Sequence, residues 1–304
     1  MKHTIFTAEF LQPRYWPTWL VFGVMWLVTR LPHPWQVRFG AMIGRAAFLV
    51  ARSRRHIAAV NLQLCFPELS RSRQQQLLKQ VFRSTGIGLV ETAIAWFRDP
   101  RDFLDIVEIN GLEHLEQAAA EGRGVILLGA HLSTLDFCGA VLGTRFKFDV
   151  MYRPNKNRLL ETIMTQSREK NFPRAIHRHD IRGVIRSLKA GDVVWYGPDQ
   201  DYGRKHSVFA PFFGIETATI TATARIAKIS SSPVIPFTHY RCADGRSYEI
   251  NLGPPLQNFP TGDDVEDATI INRLMEEAVL PAPEQYWWLH RRFKTRPDGE
   301  ERPY

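Results

Sequence analysis

The chain contains few cysteines and no cysteine pair. Cys65, Cys138 and Cys242 lie far apart in the 304 residues, and no Cys-x-x-Cys motif occurs. This spacing excludes a zinc ribbon and a disulfide framework, and it is typical of a protein in a reducing compartment. The sequence also lacks a Gly-x-Ser-x-Gly motif, so the nucleophile elbow of a serine hydrolase or thioesterase is excluded.

Repeats, low-complexity segments and long linkers are absent as well. With 44% hydrophobic residues the chain has an ordinary globular composition, which excludes disorder, and its length suffices for a sizeable core. The formal net charge of +8 predicts a polyanionic partner, either nucleic acid, an anionic membrane, a phospholipid or an acidic carrier protein. We therefore expect one basic α/β domain behind an N-terminal helical region.

The N-terminus carries an apolar segment, residues 15–29, that has no charged side chain. A spanning helix needs about 20 apolar residues, so crossing a bilayer requires Arg30 to snorkel and the span to extend to Trp35. Tryptophans along this stretch resemble the aromatic belt of a membrane interface, and no small-residue cleavage site follows. We predict that residues 1–35 form a membrane anchor, and that this anchor is a transmembrane helix. An interfacial helix and a buried amphipathic core helix are the alternatives.

Arginines crowd the chain after this segment, which places the body of the protein on the cytoplasmic side by the positive-inside rule. They are Arg38, Arg45, Arg52, Arg54 and Arg55. The main body of the protein is therefore expected to face the cytoplasm.

Residues 36–304 are predicted to form the main domain, with a helical lead-in over 36–100 and an α/β core over 101–304. The apolar spacing between Ser72 and Trp96 predicts one long helix, which Asp99-Pro100 ends. Strands are predicted at Asp105–Ile109, Val125–Leu128, Phe148–Tyr152, Val193–Tyr196, Val234–Tyr240 and Tyr248–Leu252. Helices are predicted over 112–121, 134–143, 158–170, 180–189, 217–230 and 264–280. Such alternation predicts a mixed sheet flanked by helices.

His131 follows an apolar strand that ends in Gly129-Ala130, and Asp136 comes five residues later. Ligands of open α/β sheets bind at such carboxyl ends of strands. With His131 in a loop and Asp136 in the first turn of a helix, a carboxylate on one ring nitrogen would leave the other free to accept a proton. Ser133-x-x-Asp136 is also a capping-box pattern, which would occupy Asp136 with a backbone amide instead.

Two further loops follow predicted strands and carry polar residues. Arg153 and Asn155 follow one, where Arg153 could pair with phosphate, polarise a thioester carbonyl or be an ordinary surface arginine. Asp199, Asp201 and Tyr202 follow another, in a Pro-Asp-x-Asp-Tyr-Gly turn that is either a plain strand exit or part of a polar pocket.

These segments resemble the late acyltransferases of lipid A biosynthesis, in the lauroyltransferase branch of the wider glycerolipid acyltransferase superfamily with its HxxxxD motif. The matching segments are Pro13–Trp19, Asn61–Leu69, Gly88–Trp96, the His131 and Asp136 block, Tyr152–Asn155, Pro198–Lys205, Ser207–Phe213 and Pro283–Pro297. HxxxxD alone is widely shared, whereas the Pro-Asp-x-Asp-Tyr-Gly and Leu-His-Arg-Arg-Phe-Lys-Thr-Arg-Pro blocks are specific to this branch. Relatives can carry Glu at position 136 and His at position 200.

The resemblance implies transfer of an acyl chain from acyl carrier protein to a 3-hydroxyacyl hydroxyl of a Kdo-bearing lipid A precursor, in lipopolysaccharide biosynthesis. Lauroyl is expected, with palmitoleoyl or myristoyl as the alternatives. His131 would be the general base and Asp136 its orienting carboxylate. Arg153, Asn155, Asp199, Asp201 and Tyr202 would contact substrate or support the site. The resemblance also implies a location in the inner membrane, with the catalytic domain facing the cytoplasm. Inner-membrane phospholipid is an expected partner, and no nucleic acid, metal or bound cofactor is implied.

Rival hypotheses rest on single features. A basic membrane- or nucleic-acid-binding protein without catalysis would use the arginines around Arg178 and Arg292, although no nucleic-acid motif accompanies them. Cys138 could be a thioester-forming nucleophile, but a small buried hydrophobe is the simpler interpretation. His177 and His179 could bind a metal, but no second ligand pair matches them.

Overall fold

A computed structural model describes Ile5 and residues 7–304. The helices are α1 (Trp16–Val28), α2 (His33–Val50), α3 (Arg52–Cys65), α4 (Arg71–Phe97), α5 (Leu112–Ala120), α6 (Leu135–Arg145), α7 (Arg158–Asn171), α8 (Ile181–Lys189), α9 (Ala222–Ser230) and α10 (Asp264–Val279). The strands are β1 (Val107–Asn110), β2 (Val125–Gly129), β3 (Asp149–Tyr152), β4 (Ala175–His177), β5 (Val193–Tyr196), β6 (Ser207–Phe212), β7 (Ile215–Ile220), β8 (Val234–Arg241) and β9 (Tyr248–Leu252). Short 3₁₀ helices cover Pro13–Tyr15, Pro100–Ile106 and Pro283–Gln285.

Within the described residues, seven strands form one sheet in the order β1-β9-β8-β2-β5-β3-β4. Only β8 and β9 pair antiparallel; the other neighbours are parallel. Helices α3, α8, α9 and α10 pack on one face, and α5 and α6 pack on the other. Every residue of β2 is buried, as expected for a central parallel strand covered on both faces. The predicted α/β class, with a mixed sheet flanked by helices behind an N-terminal helical region, is confirmed.

The predicted helix over 217–230 is wrong in its first part. Residues 215–220 form β7, which pairs with β6 in an antiparallel hairpin outside the main sheet. The two residues between the strands, Phe213 and Gly214, have φ angles of 50° and 73°, as a tight hairpin turn requires. The threonines of β7 favour a strand because they are β-branched, and this hairpin and β4 were missed in the sequence.

The predicted transmembrane helix is not confirmed. Helix α1 has 13 residues, which span about 20 Å, whereas the hydrocarbon core of a bilayer is about 30 Å thick. The chain turns after Thr29, and α2 begins at His33. Throughout Ile5 and residues 7–304, no helix is both long and apolar enough to cross a membrane. Residues 1–4 and 6 of the predicted anchor lie outside the described residues, and the boundary at residue 35 stays a prediction.

Helix α4 joins the helical region to the sheet, and its observed bounds confirm the long helix predicted there. Its middle lies directly against α2: a Cβ added at Gly86 would come within 2.3 Å of both the Gly40 carbonyl oxygen and the Gly44 amide nitrogen. Only glycine permits this approach. The close contact fixes the direction in which the rest of α4 runs along the sheet.

A buried ion pair fastens the C-terminal half of α4 to β8. The guanidinium of Arg241 donates to both carboxylate oxygens of Glu91, over 2.7 and 2.9 Å, and both side chains are almost fully buried. The hydroxyl of Tyr248 on β9 donates to the same carboxylate over 2.6 Å. A buried charge is stable only while it is paired and hydrogen-bonded.

We expect Glu91→Gln to destabilise the protein by about 3–5 kcal/mol, because the guanidinium of Arg241 would remain buried without a counter-charge. Chemical denaturation of the purified protein measures this loss. Glu113, exposed on α5, provides the matched control, since Glu113→Gln removes the same charge without burying anything. Equal stability of the two variants would show that the pair does not hold α4 to the sheet.

Candidate active site

The candidate site lies where β2 and β5 end side by side. These strands are parallel, and their register sets Leu128 opposite Tyr196. His131 and Asp199 each follow three residues after that pair, so both reach the same edge of the sheet. This position at the carboxyl edge is where open α/β sheets bind ligands.

Asp199 holds His131 through two hydrogen bonds. One carboxylate oxygen lies 2.5 Å from the imidazole Nδ1, and the other accepts from the backbone amide of His131 over 2.9 Å. The carboxylate is almost fully buried, whereas the imidazole keeps 28% of its side-chain surface exposed. A carboxylate on Nδ1 places the proton there and leaves Nε2 as the acceptor.

The pKa of His131 reflects opposing causes. Burial alone would lower this pKa, but the negative charge of Asp199, its hydrogen bond and the more distant charge of Asp136 outweigh burial, and the pKa is raised. For Asp199 the directions are reversed: burial alone would raise its pKa, but the charge of His131 and the hydrogen bonds to it outweigh burial, and the pKa is lowered. The pair therefore keeps the carboxylate charged beside a histidine of increased basicity.

Gly197 leaves the space that the imidazole occupies. A Cβ added there would come within 2.8 Å of Cε1 of His131 and of the indole of Trp195. The Trp195 ring in turn meets the imidazole edge to face, with centroids 5.5 Å apart. The ring of His131 is thus fixed by packing as well as by Asp199.

The C-terminal segment is hydrogen-bonded to the loop that carries His131. Trp287 donates its backbone amide to the carbonyl of His131, and Ser133 donates its amide to the carbonyl of Gln285 over 2.7 Å. Between these bonds Tyr286 forms an antiparallel bridge with Leu132, and its hydroxyl donates to the backbone carbonyl of Asp199. Tyr286 therefore contacts Asp199 and the residue that follows His131.

Asp136 does not contact the imidazole, contrary to the expectation from the sequence. It lies exposed in the first turn of α6 and accepts from the hydroxyl of Thr92 on α4 over 3.0 Å. The capping-box alternative is also wrong: Thr134 is the N-cap of α6, and Ser133 contacts the hydroxyl of Ser84 on α4. Asp136 thus ties α6 to α4, and its influence on His131 is electrostatic.

Some of the other residues predicted for the site line the cleft beside His131, and some do not. Asp201 is buried and accepts from the amide and the hydroxyl of Thr295, which makes it an anchor for the C-terminal segment. Tyr202 and Arg153 line the cleft beside His131. Asn155 is exposed outside that lining and accepts from the amide of Asn157. Of these residues the structure brings only Tyr202 and Arg153 to the cleft.

A cleft of about 1030 Å³ opens beside His131. This volume is at the upper end of the usual range for ligand sites. One part of the wall is apolar and comes from α8, α9 and the end of β5. The rim is basic, and among the described residues no aspartate or glutamate lines the cleft. The cationic side chains are Arg54, Arg153, Arg178, Lys205 and Arg225.

Comparison with known proteins matches residues 3–295 to the family model for bacterial lipid A biosynthesis acyltransferases. The chain is 41% identical to the lipid A biosynthesis lauroyltransferase of Escherichia coli K12, over 97% of this chain and 96% of that protein. It is 40% identical to the palmitoleoyltransferase of the same organism, over 98% of each chain. Identity with its myristoyltransferase is 30%, over 98% of this chain and 93% of that protein. The chain belongs to this acyltransferase family.

Three residues that the sequence suggested for catalysis or for binding are instead buried or paired within the fold. Cys138 is completely buried on α6, and burial raises the pKa of its thiol well above the ordinary value, so it is not an available nucleophile. Two arginines of the basic cluster noted in the sequence also serve the fold. Arg174 pairs with Asp149 and Asp192, and Arg292 is buried against the backbone carbonyl of Ala218.

Sequence reasoning missed several residues of this site. Gly197, Trp195 and Tyr286 had no role assigned, and Asp199 was expected beside substrate rather than on the histidine. The equal offset of His131 and Asp199 from their strand ends was the signal for the dyad, but it becomes visible only when β2 and β5 are known to be neighbours.

Because Asp199 raises the pKa of His131, we expect Asp199→Asn to lower it, so that the imidazole loses its proton at a lower pH. An NMR titration of the His131 Cε1–H resonance measures the midpoint. Asp136→Asn is the matched control and should move the midpoint less, since its charge acts from farther away. A larger shift of the His131 midpoint with Asp136→Asn would show that Asp136, and not Asp199, is the carboxylate that orients His131.

Proposed function

We propose that the protein transfers a fatty acyl chain, lauroyl, from acyl carrier protein to a hydroxyl of the 3-hydroxyacyl chains of a Kdo-bearing lipid A precursor. The observation that carries this proposal is His131, held by Asp199 and opening onto a cleft with a basic rim and apolar walls. Membership of the lipid A acyltransferase family supplies the class of reaction and of acceptor.

In the proposed reaction His131 acts on the acceptor alcohol. Its Nε2 takes the hydroxyl proton as the alcohol oxygen attacks the thioester carbonyl carbon. The resulting tetrahedral intermediate collapses with cleavage of the carbon–sulfur bond, and the departing thiolate takes the proton back from the imidazolium. A thioester is already activated whereas an alcohol is a poor nucleophile at neutral pH, so a base on the alcohol is the main requirement.

Transfer without an acyl-enzyme is favoured by what lines the cleft. Among the described residues the lining includes no serine and no cysteine. Ser133, close to His131 in sequence, instead lies 3.0 Å from the hydroxyl of Ser84. Both substrates would therefore be bound together while the ester forms.

The basic rim suits acidic substrates. Phosphate groups of a lipid A precursor and the acidic surface of acyl carrier protein are both attracted to a cluster of cations. Arg153 and Arg178 stand on the same cleft as His131, which supports a role for Arg153 in binding substrate. Tyr202 beside them has a phenol that can donate to a phosphate or a sugar hydroxyl.

We further propose that the protein lies in the inner membrane interface with its cleft on the cytoplasmic side. Helices α1 and α2 expose many large apolar side chains, including Leu20 at 70%, Leu27 at 60% and Leu49 at 70% exposure. The cations Arg30 and Arg38 stack on the rings of Trp26 and Trp35. An exposed apolar face with flanking arginines and tryptophans is typical of helices that lie in a membrane surface rich in anionic lipid.

The function is tested with His131→Ala, for which we expect a loss of about 10²–10⁴-fold in kcat, as for removal of a general base. The assay combines lauroyl-acyl carrier protein with tetraacylated Kdo-lipid A precursor and detects the product by mass spectrometry. Cys138→Ala should keep its activity.

Two outcomes would contradict the mechanism. Full activity of His131→Ala would show that His131 is not the base. A protein-bound acyl group that forms with donor alone and then passes to the acceptor would show that transfer is not direct. Inactivity of the wild type with this donor and acceptor, despite a folded protein, would contradict the proposed substrates.

The membrane face is tested with the double variant Leu20→Asp and Leu27→Asp on α1. Burying a leucine side chain is worth about 1.5–3 kcal/mol, so we expect affinity for vesicles of phosphatidylethanolamine and phosphatidylglycerol to fall roughly tenfold or more. Vesicle flotation measures the bound fraction. The matched control is Val265→Asp on α10 with Leu280→Asp directly after α10; both positions are also exposed and apolar. Equal losses in both double variants would show that α1 has no special role in binding.

A further inference from the structure

The apolar end of the cleft lies between α8 and α9. Ile181 and Ile185 line it from α8, and Ala222, Ile226 and Ile229 line it from α9. The two helices pack against the same face of the sheet and contact each other. Side chains therefore form both walls of this end, and the sheet lies behind them.

A separate void continues inward from this end. It is too narrow to hold water and is lined by Ile126, Val184, Val194, Tyr196, Thr223 and Ile226. Ile226 and Tyr196 line both the cleft and the void, so they separate the two spaces. Ile226 is 2% exposed and Val184 is 1% exposed.

We propose that Ile226 on α9 forms the floor of the acyl-chain channel and determines the length of the chain that is transferred. The inference rests on the proposed function, because the occupant of the channel is the acyl chain of the donor whose thioester would sit at His131. His131 and Ile226 line one continuous cleft, so a chain that begins at the imidazole can extend to this floor.

The position of Ile226 explains why this side chain would limit the length of the acyl chain. The void behind it is also lined by Val184 on α8 and by Ile126 and Val194, on the central strands β2 and β5, whose paired backbones cannot move aside. Truncating Ile226 would join the void to the channel and leave the sheet intact. One methylene in an apolar pocket changes kcat/KM by about 10–200-fold, which is enough to select between chains that differ by two carbons.

The experiment is a competition between saturated acyl carrier protein thioesters, from decanoyl to palmitoyl, for a limiting amount of lipid A precursor. Mass spectrometry of the product gives the ratio of each chain to the one that the wild type prefers. With Ile226→Ala we expect the ratio of the next longer chain to rise about tenfold or more. Ile226→Val, which removes a single methyl group, should shift the ratio in the same direction by a smaller amount. This variant tests the inference if Ile226→Ala does not fold.

Leu188→Ala is the matched control. Leu188 lies one turn beyond Val184 on α8, is fully buried and lines neither the cleft nor the void. Its truncation loosens the same core, so an equal shift in this variant would overturn the inference, as would unchanged ratios in folded, active floor variants. Absence of transfer by the wild type with every donor would instead overturn the proposed function, and the inference with it.

Discussion

The parallel pairing of β2 with β5 is the constraint on which the site depends. Because Leu128 stands opposite Tyr196, equal advances along the two strands bring His131 and Asp199 together at one edge. A shift of either strand by one residue would turn its side chains to the opposite face and separate the dyad. The continuous apolar sequence of β2 is buried on both faces, as expected for a central strand of the sheet.

The loop that carries His131 is supported from two sides. On one side α4 places Ser84 against Ser133 and Thr92 against Asp136, and the buried pair of Glu91 with Arg241 fixes the helix to the sheet. On the other side the segment around Tyr286 pairs with the loop itself. A reacting group works only when the shell around it is rigid, and here the N-terminal helices and the C-terminal segment supply that shell.

The sequence predicted the fold class, the long helix α4 and the place of His131 at a strand end, since these depend on local periodicity and chain order. It did not predict the partner of His131, because HxxxxD counts residues along one loop whereas Asp199 comes from a neighbouring strand. The hairpin of β6 and β7 was missed since its apolar spacing also suits a helix. The apolar stretch before Arg30 was too short to decide by itself between spanning and lying in a membrane, and the turn after Thr29 decides its helical length.

Burial of Asp199 gives the dyad its electrostatic consequence. In the proposed reaction the imidazole becomes a cation as it takes the proton of the alcohol, beside a carboxylate that is 3% exposed and already charged. An ion pair in such a site is stronger than in water, and no solvent must reorganise to stabilise the new charge. Asp136 is exposed and bonded to Thr92, so water screens its contribution. The buried carboxylate, rather than the one in the motif, is therefore the group that stabilises the charge on His131 as the reaction proceeds.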